Sequence, residues 1–309
     1  MSMFKKTTLA LAISAIAGGA LAQSAPAPAP APAPEKSPIT ANVTVTNDYR
    51  YRGISQSNFK PAIQGGFDYA HDSGFYIGNW NSSISWISDG NSTNGAISGR
   101  NAGSTAVSAP IEMDFYAGFK KELIGEGFAS DLGVLQYYYP STGVYNSAGY
   151  FVNPNTTEIY AAQNFTFGAL TGFVKFSYAV STLFGNPNSQ GSYYPDLTLN
   201  YDTGIWGLAL NAHVGYQYIA GNYKTAATYY RNNGTAADTI INGTSLNSVL
   251  GYTDWKLGVT KDFGGGLSLA VSYVDTNAKQ NVNGYPAYPN PQGKNLGRAG
   301  GLVALTKTF

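Results

Sequence analysis

Residues 299–309 read AGGLVALTKTF. Side chains of an extended strand point alternately to its two faces. Val303, Leu305 and Phe309 therefore share one face, and Ala304, Thr306 and Thr308 share the other. Lys307 interrupts the apolar face. Its stem can lie along apolar surface while the ammonium rises into a polar layer. Read as a last strand, this stretch is expected to close a sheet against the chain's own first strand. The competing reading is the final strand of a soluble sandwich, and the rest of the chain has to separate the two.

Composition favours closure in a membrane. Charged residues are 11% of the 309, far below the roughly 25% of soluble domains. Aromatics are 14%, with 24 Tyr, and there are 37 Gly. Yet no apolar run reaches the ~18 residues that would mark a transmembrane helix. Few charges, many Tyr and Gly and no helical span suit a barrel with one lipid face and one wet face.

Lys5 and Lys6 precede an apolar run over residues 9–22 that ends in Ala20-Leu21-Ala22. That is the pattern of a secretory signal peptide, with cleavage expected after Ala22. Residues 23–38 hold an Ala-Pro repeat, whose fixed φ angles favour an extended periplasmic linker. The barrel is then expected over residues 39–309. Losing the two lysines takes 18 basic and 17 acidic residues to 16 and 17, so the mature chain is near neutral. That excludes the basic surface nucleic acid requires. There are no cysteines, hence no disulfide framework in an exported chain.

Twelve strands are expected, at residues 40–52, 62–71, 75–87, 111–121, 128–139, 157–167, 170–182, 193–202, 206–219, 251–263, 266–275 and 300–309. The connections decide the architecture. Tight turns at 72–74, 124–127, 168–169, 203–205 and 264–265 carry Gly, Asp and Ser. They alternate with long loops at 53–61, 88–110, 140–156, 183–192, 220–250 and 276–299. Alternating short and long connections are the layout of an outer-membrane barrel. The even strand number puts both ends of the barrel at the tight-turn rim.

The faces agree. In the seventh strand Val174, Phe176, Tyr178 and Val180 alternate with Phe173, Lys175, Ser177 and Ala179. In the ninth, Leu208, Leu210, Ala212 and Val214 alternate with Ala209, Asn211, His213 and Gly215. Tyr and Trp crowd the strand ends, as at Tyr137-Tyr138-Tyr139, Tyr193-Tyr194 and Trp206, where amphipathic rings favour a membrane interface. The expected fold class is all-β, a transmembrane antiparallel up-and-down barrel of about twelve strands. In exported bacterial proteins a last strand of this kind resembles the C-terminal signal of outer-membrane barrels. That predicts a bacterial outer-membrane location, contact with lipid and lipopolysaccharide, and delivery by the barrel-assembly machinery through the Phe309-terminated strand.

A family resemblance rests on residues 47–57 (NDYRYRGISQS), 61–69 (PAIQGGFDY) and 74–80 (GFYIGNW). It returns at 252–263 (YTDWKLGVTKDF), 270–277 (AVSYVDTN) and 303–309 (VALTKTF). These stretches resemble the TorF-type porins of bacterial outer membranes, over nearly all of the chain from about Val43. The resemblance implies a channel. It supplies neither a substrate nor catalytic residues.

With the apolar face toward lipid, the opposite face lines the lumen. Asp48, Arg50 and Arg52 are expected inside from the first strand, alternating with Val45, Asn47, Tyr49 and Tyr51. Asp68 follows from the second strand and Glu112 and Asp114 from the fourth. Glu158, Lys175, Asp196, Asp254 and Lys256 come from later strands. Charges on a lipid face cost about 2–4 kcal/mol at mid-membrane, which forces them inward. Two roles stay open for them: rings of charge that select solutes, or Arg–carboxylate pairs that brace or plug the wall. Arg50 and Arg52 lead, because residues two apart share a face. Replacing either by Ala is expected to change conductance or ion preference without abolishing insertion. About eight strands leave room only for packed side chains and 16–18 an aqueous channel. Twelve should hold a narrow or blocked lumen, further narrowed by Phe173 and Tyr116. The surplus of lining carboxylates favours cations.

The function expected is passage of ions or small hydrophilic solutes through that narrow lumen. The chief rival is a hydrolase, which needs a nucleophile, a base and an orienting group. Of the two histidines, His71 belongs to a turn and His213 to a polar strand face, and no G-x-S-x-G occurs. Glu112 and Asp114 share a face, as a glycosidase pair would, but fit pore lining. No enzymatic activity, cofactor or metal site is expected. A third class is a non-conducting barrel serving as receptor, adhesin or structural partner. The stretch Tyr229-Tyr230-Arg231-Asn232-Asn233 would suit such contact. A homo-oligomer is left open.

Overall fold

The computed structural model describes residues 37–90, 107–142, 152–223, 227–230, 236–240, 243–282 and 286–309. The expected signal peptide, and the linker through residue 36, lie outside them. So do residues 231–233 of the expected contact stretch. Twelve strands form the wall. They are β1 (Ile39–Thr46), β2 (Ala62–Ala70), β3 (Phe75–Ser83), β4 (Ile111–Gly125), β5 (Phe128–Tyr138) and β6 (Thr156–Phe167). Then come β7 (Leu170–Ala179), β8 (Tyr193–Asp202), β9 (Leu208–Gln217), β10 (Tyr252–Gly264), β11 (Leu267–Thr276) and β12 (Gly300–Thr308). Each pairs antiparallel with the next, and β12 pairs back onto β1. Val45 faces Leu305 across the seam and Thr46 faces Ala304, while the Thr44 and Thr306 hydroxyls meet at 2.8 Å on the inner side. Closure leaves no unpaired sheet edge, the condition for a β-structure to cross lipid.

Alternation sorts the wall as expected. Val174 is 55% exposed outside, whereas Ser177 on the opposite face is 2% exposed. Outward rings pair near the short-turn rim, Phe75 with Phe119 at 5.4 Å and Phe128 with Phe167 at 5.3 Å. Inward, Tyr116 lies across Gly78, Tyr76 across Gly118, Tyr160 across Gly133 and Tyr194 across Gly215. A Cβ on any of these glycines would overlap the ring, so the missing side chain lets the phenol lie against the wall. At the turn after β10, Gly264, Gly265 and Gly266 have φ of 82°, 59° and 79°, a left-handed run that L side chains resist.

Four expectations change. The first strand stops at Thr46 rather than at residue 52. Asn47 takes over its last ladder positions with a side chain: Val303 N–H donates to its Oδ1 at 2.7 Å and its Nδ2 donates to Gly301 O at 3.0 Å. The backbone beyond is released from β12 and turns inward. The third strand stops at Ser83, before a one-turn helix α1 (Trp86–Gly90). At the triple tyrosine, Tyr137 and Tyr139 are buried inside and only Tyr138 faces out, because the period of two runs through the triplet. Trp206 is not in a strand; it stands in the β8–β9 turn with φ 53°.

Candidate functional site: an inward-folded plug

Residues 47–61 connect β1 to β2 at the long-loop rim and fold into the lumen. Arg50–Tyr51 pairs with Ile54–Ser55 as a miniature hairpin. Its two tip residues, Arg52 and Gly53, have φ of 45° and 77°, as the tight primed turns require. Gly53 sits against Thr276 and Asp254, where a Cβ would clash. The base of the hairpin is tied by Asp48. Its Oδ1 accepts from Ser55 Oγ at 2.6 Å and Ser57 Oγ at 3.2 Å, and its Oδ2 accepts from Arg50 Nε at 2.5 Å. Arg50 also donates to the carbonyls of Gly53, Leu296 and Arg298.

The tip crosses the lumen to the far wall. Arg52 Nη1 and Nη2 donate to the two Glu158 oxygens on β6 at 3.1 and 2.8 Å, and Nη1 donates to Gln217 Oε1 on β9 at 2.6 Å. The guanidinium lies 4.1 Å from the Tyr194 ring centroid and 4.9 Å from that of Tyr51. A two-pronged Arg–carboxylate contact of this kind fixes geometry as well as charge. Tyr49 and Tyr139 both donate to Glu112, at 2.5 and 2.6 Å, and the Tyr51 and Tyr137 hydroxyls meet at 2.7 Å. Burial, then the Glu112 and Asp114 charges, push the Tyr49 hydroxyl well above its ordinary pKa, so it stays a donor. Tyr49, Tyr51, Arg52 and residues 54–57 are all buried, so the long-loop half of the lumen is filled.

The candidate residues thus divide into two groups. Asp48, Arg50, Arg52, Glu112 and Glu158 meet in or against the plug, and Asp114, with Oδ1 unbonded among the described residues, stands beside Glu112 on β4. Arg50 and Arg52 do not share a strand face, because neither lies in the wall and the turn between them sends them to different partners. Tyr49 and Tyr51, expected on the lipid side, face inward for the same reason. Strand alternation could not flag Gln217, Tyr137, Tyr139 and Tyr194, whose role depends on a partner from a loop. Gly53, directly after the apparent strand and able to take the positive φ of a tight turn, was the available signal.

The remaining candidates stand on the inner face of the wall, Asp254 against the plug tip and the others below it. Asp68 accepts from the Tyr116 hydroxyl. Lys175 is registered opposite Asp196 and lies 4.2 Å over the Tyr160 ring. Asp254 accepts from Tyr194 Oη at 2.7 Å and meets His213 Nε2 at 3.1 Å. Lys256 is registered opposite His213. Tyr76 donates to Asp131 at 2.6 Å and also meets the Tyr160 hydroxyl. Lys120 donates to Asn164 at 3.1 Å. Thr198 Oγ1 lies 3.0 Å from His213 Nδ1, which with Asp254 has the connectivity of a hydrolytic triad. The neighbouring β8–β9 backbone is paired in the barrel ladder, so it offers no free N–H pair for an oxyanion.

The barrel aligns with the NanC porin at 9% identity and a TM-score of 0.48, over 87% of this chain and 98% of that one. With the KdgM porin the values are 7%, 0.43, 88% and 97%. With LpxR from Salmonella typhimurium they are 11%, 0.40, 87% and 99%. At such likeness neither the solutes of the porins nor the chemistry of LpxR carries over. No curated protein matches the chain. The family model described as "Bacterial protein of unknown function (Gcw_chp)" matches residues 31–239 and 239–309, and the protein belongs to that family.

Proposed function

We propose that the protein is an outer-membrane channel for ions or small hydrophilic solutes, held closed by residues 47–61. The observation that carries this reading is the contrast within the lumen. The lower half is a polar inner wall of a closed barrel with an apolar exterior. The upper half is blocked by a segment outside the barrel's own ladder, bonded to the wall mainly through side chains and to neighbouring connections also through backbone, as where Ser55 N–H donates to Leu296 O and Gln56 O accepts from Ser85 and Trp86 N–H. A plug so attached can leave without opening the wall. The resemblance of residues 47–57 to TorF-type porins supports the same reading. On it, residues 1–22 are removed on export and the short-turn rim faces the periplasm.

A second reading keeps the plug permanently in place, and the barrel then serves as a receptor or structural partner. The buried Arg52–Glu158 pair favours it, since a pair with side chains 3% and 1% exposed is costly to separate. Single-channel current from the refolded full chain in a planar bilayer, under asymmetric KCl, separates the two. Discrete steps with a reversal potential on the cation side support the channel. A folded, inserted barrel that stays silent, including after loss of the Arg52 side chain, overturns it.

A further inference from the structure

The channel reading gives no role to the recess above the plug. It has a volume of about 130 Å³, room for about four waters at ~30 Å³ each. Its floor is the plug itself, through Tyr51, Ile54 and Gln56, and Trp86, Phe184 and Tyr252 stand among its walls. Three packed apolar clusters meet around it, through Tyr51 and Tyr139, through Leu183 and Leu250, and through Ile54 and Leu296. Clusters of this kind hold a cavity in shape, and ring-lined concavities with a few polar groups are the usual form of small-molecule sites.

Three polar side chains in the lining keep a free acceptor oxygen. Gln56 spends one amide N–H on Ile54 O, and Asn186 spends one of its own on Leu183 O. Asp89 accepts from Ser85 with Oδ2 only. Two amide oxygens and one carboxylate oxygen are left as acceptors for a ligand, beside the second N–H of each amide. Among the described residues no lysine or arginine lines the recess, so an anion would meet a carboxylate with no described cation to balance it.

We propose that this recess binds a small neutral hydroxylated aromatic compound. Its ring lies among Tyr51, Trp86 and Phe184, and its hydroxyls donate to Gln56, Asn186 or Asp89. A ligand that touches the plug in its closed position favours that position by its differential affinity. On the channel reading, occupancy therefore lowers the open fraction.

The test is calorimetric titration of the full chain in lipid nanodiscs with resorcinol, an uncharged ring with two donors. Saturable one-site binding is expected. Benzoate, an anion, and 1,3-dimethoxybenzene, which lacks donors, should each bind at least tenfold more weakly. Phe184→Ala and Gln56→Leu should each weaken resorcinol at least tenfold while the barrel keeps its heat-modifiable migration. Asn186→Leu provides the same reading if either variant fails to fold. Absence of saturable binding, equal binding of benzoate, or binding indifferent to the variants overturns the site. Resorcinol binding to a barrel that never conducts would uphold the site and sink the channel. Current without resorcinol binding would do the reverse.

Discussion

Arg52 is the residue on which the closed state turns. Its guanidinium is buried with Glu158, Gln217 and the Tyr194 ring. Removing one member of a buried ion pair typically costs about 3–5 kcal/mol, because the other charge is left uncompensated. Arg52→Ala should therefore loosen the plug by two to three powers of ten, at about 1.4 kcal/mol per factor of ten. Hydrogen exchange at the amides of residues 47–61 would show it, and unchanged protection would refute it. Arg52→Ala combined with Glu158→Gln should recover part of the loss, since the stranded charge is gone. Glycines under the rings act at the same scale. Gly118→Val puts a branched side chain into the Tyr76 ring and should destabilise the refolded barrel by about 1–3 kcal/mol, the usual cost of overpacking. Gly125→Ala, with open space around it, should leave the unfolding midpoint unchanged. Equal shifts in both variants would show that the ring contacts do not matter.

The connection between β1 and β2 is the element that separates wall from plug. Thr46 and Ala62 are directly paired, so the wall needs only a short turn between them. Replacing residues 48–60 by a two-residue Asn-Gly turn, which suits such a hairpin, should preserve insertion and β-sheet content. The lumen would gain the volume now held by the hairpin, and single-channel conductance should rise several-fold. An intact barrel with no gain in current would place the block elsewhere. The same element shows why the first strand was misjudged. Through residue 52 its sequence keeps the alternating, β-prone pattern of a strand, and only the Asn47 side chain, bonded to Val303 and Gly301 across the seam, ends the ladder.

At the scale of the whole molecule the two faces of the wall obey opposite rules. Val174 points outward from the middle of β7, and Lys175, its neighbour, points into the lumen. Val174→Arg should cost about 2–4 kcal/mol of folding stability in lipid vesicles, the cost of a cation near the bilayer midplane. Lys175→Gln should insert normally. Comparable losses in both would contradict the assignment of faces. That assignment, the strand number and the alternation of short and long connections were all legible in the sequence. They follow from local chemistry: a period of two, turn residues between runs, and the exclusion of charge from hydrocarbon. The inward placement of Asp68, Glu112, Lys175 and Asp254 was legible for the same reason. The plug was not. Tyr49, Tyr51 and Arg52 carry the pattern of a strand, and their inward course depends on groups more than a hundred residues away, Glu158 and Gln217 for Arg52 and Val303 for Asn47. Pairings across a closed lumen form only once the wall has brought its distant strands together, so the tertiary structure alone decided that this barrel is shut.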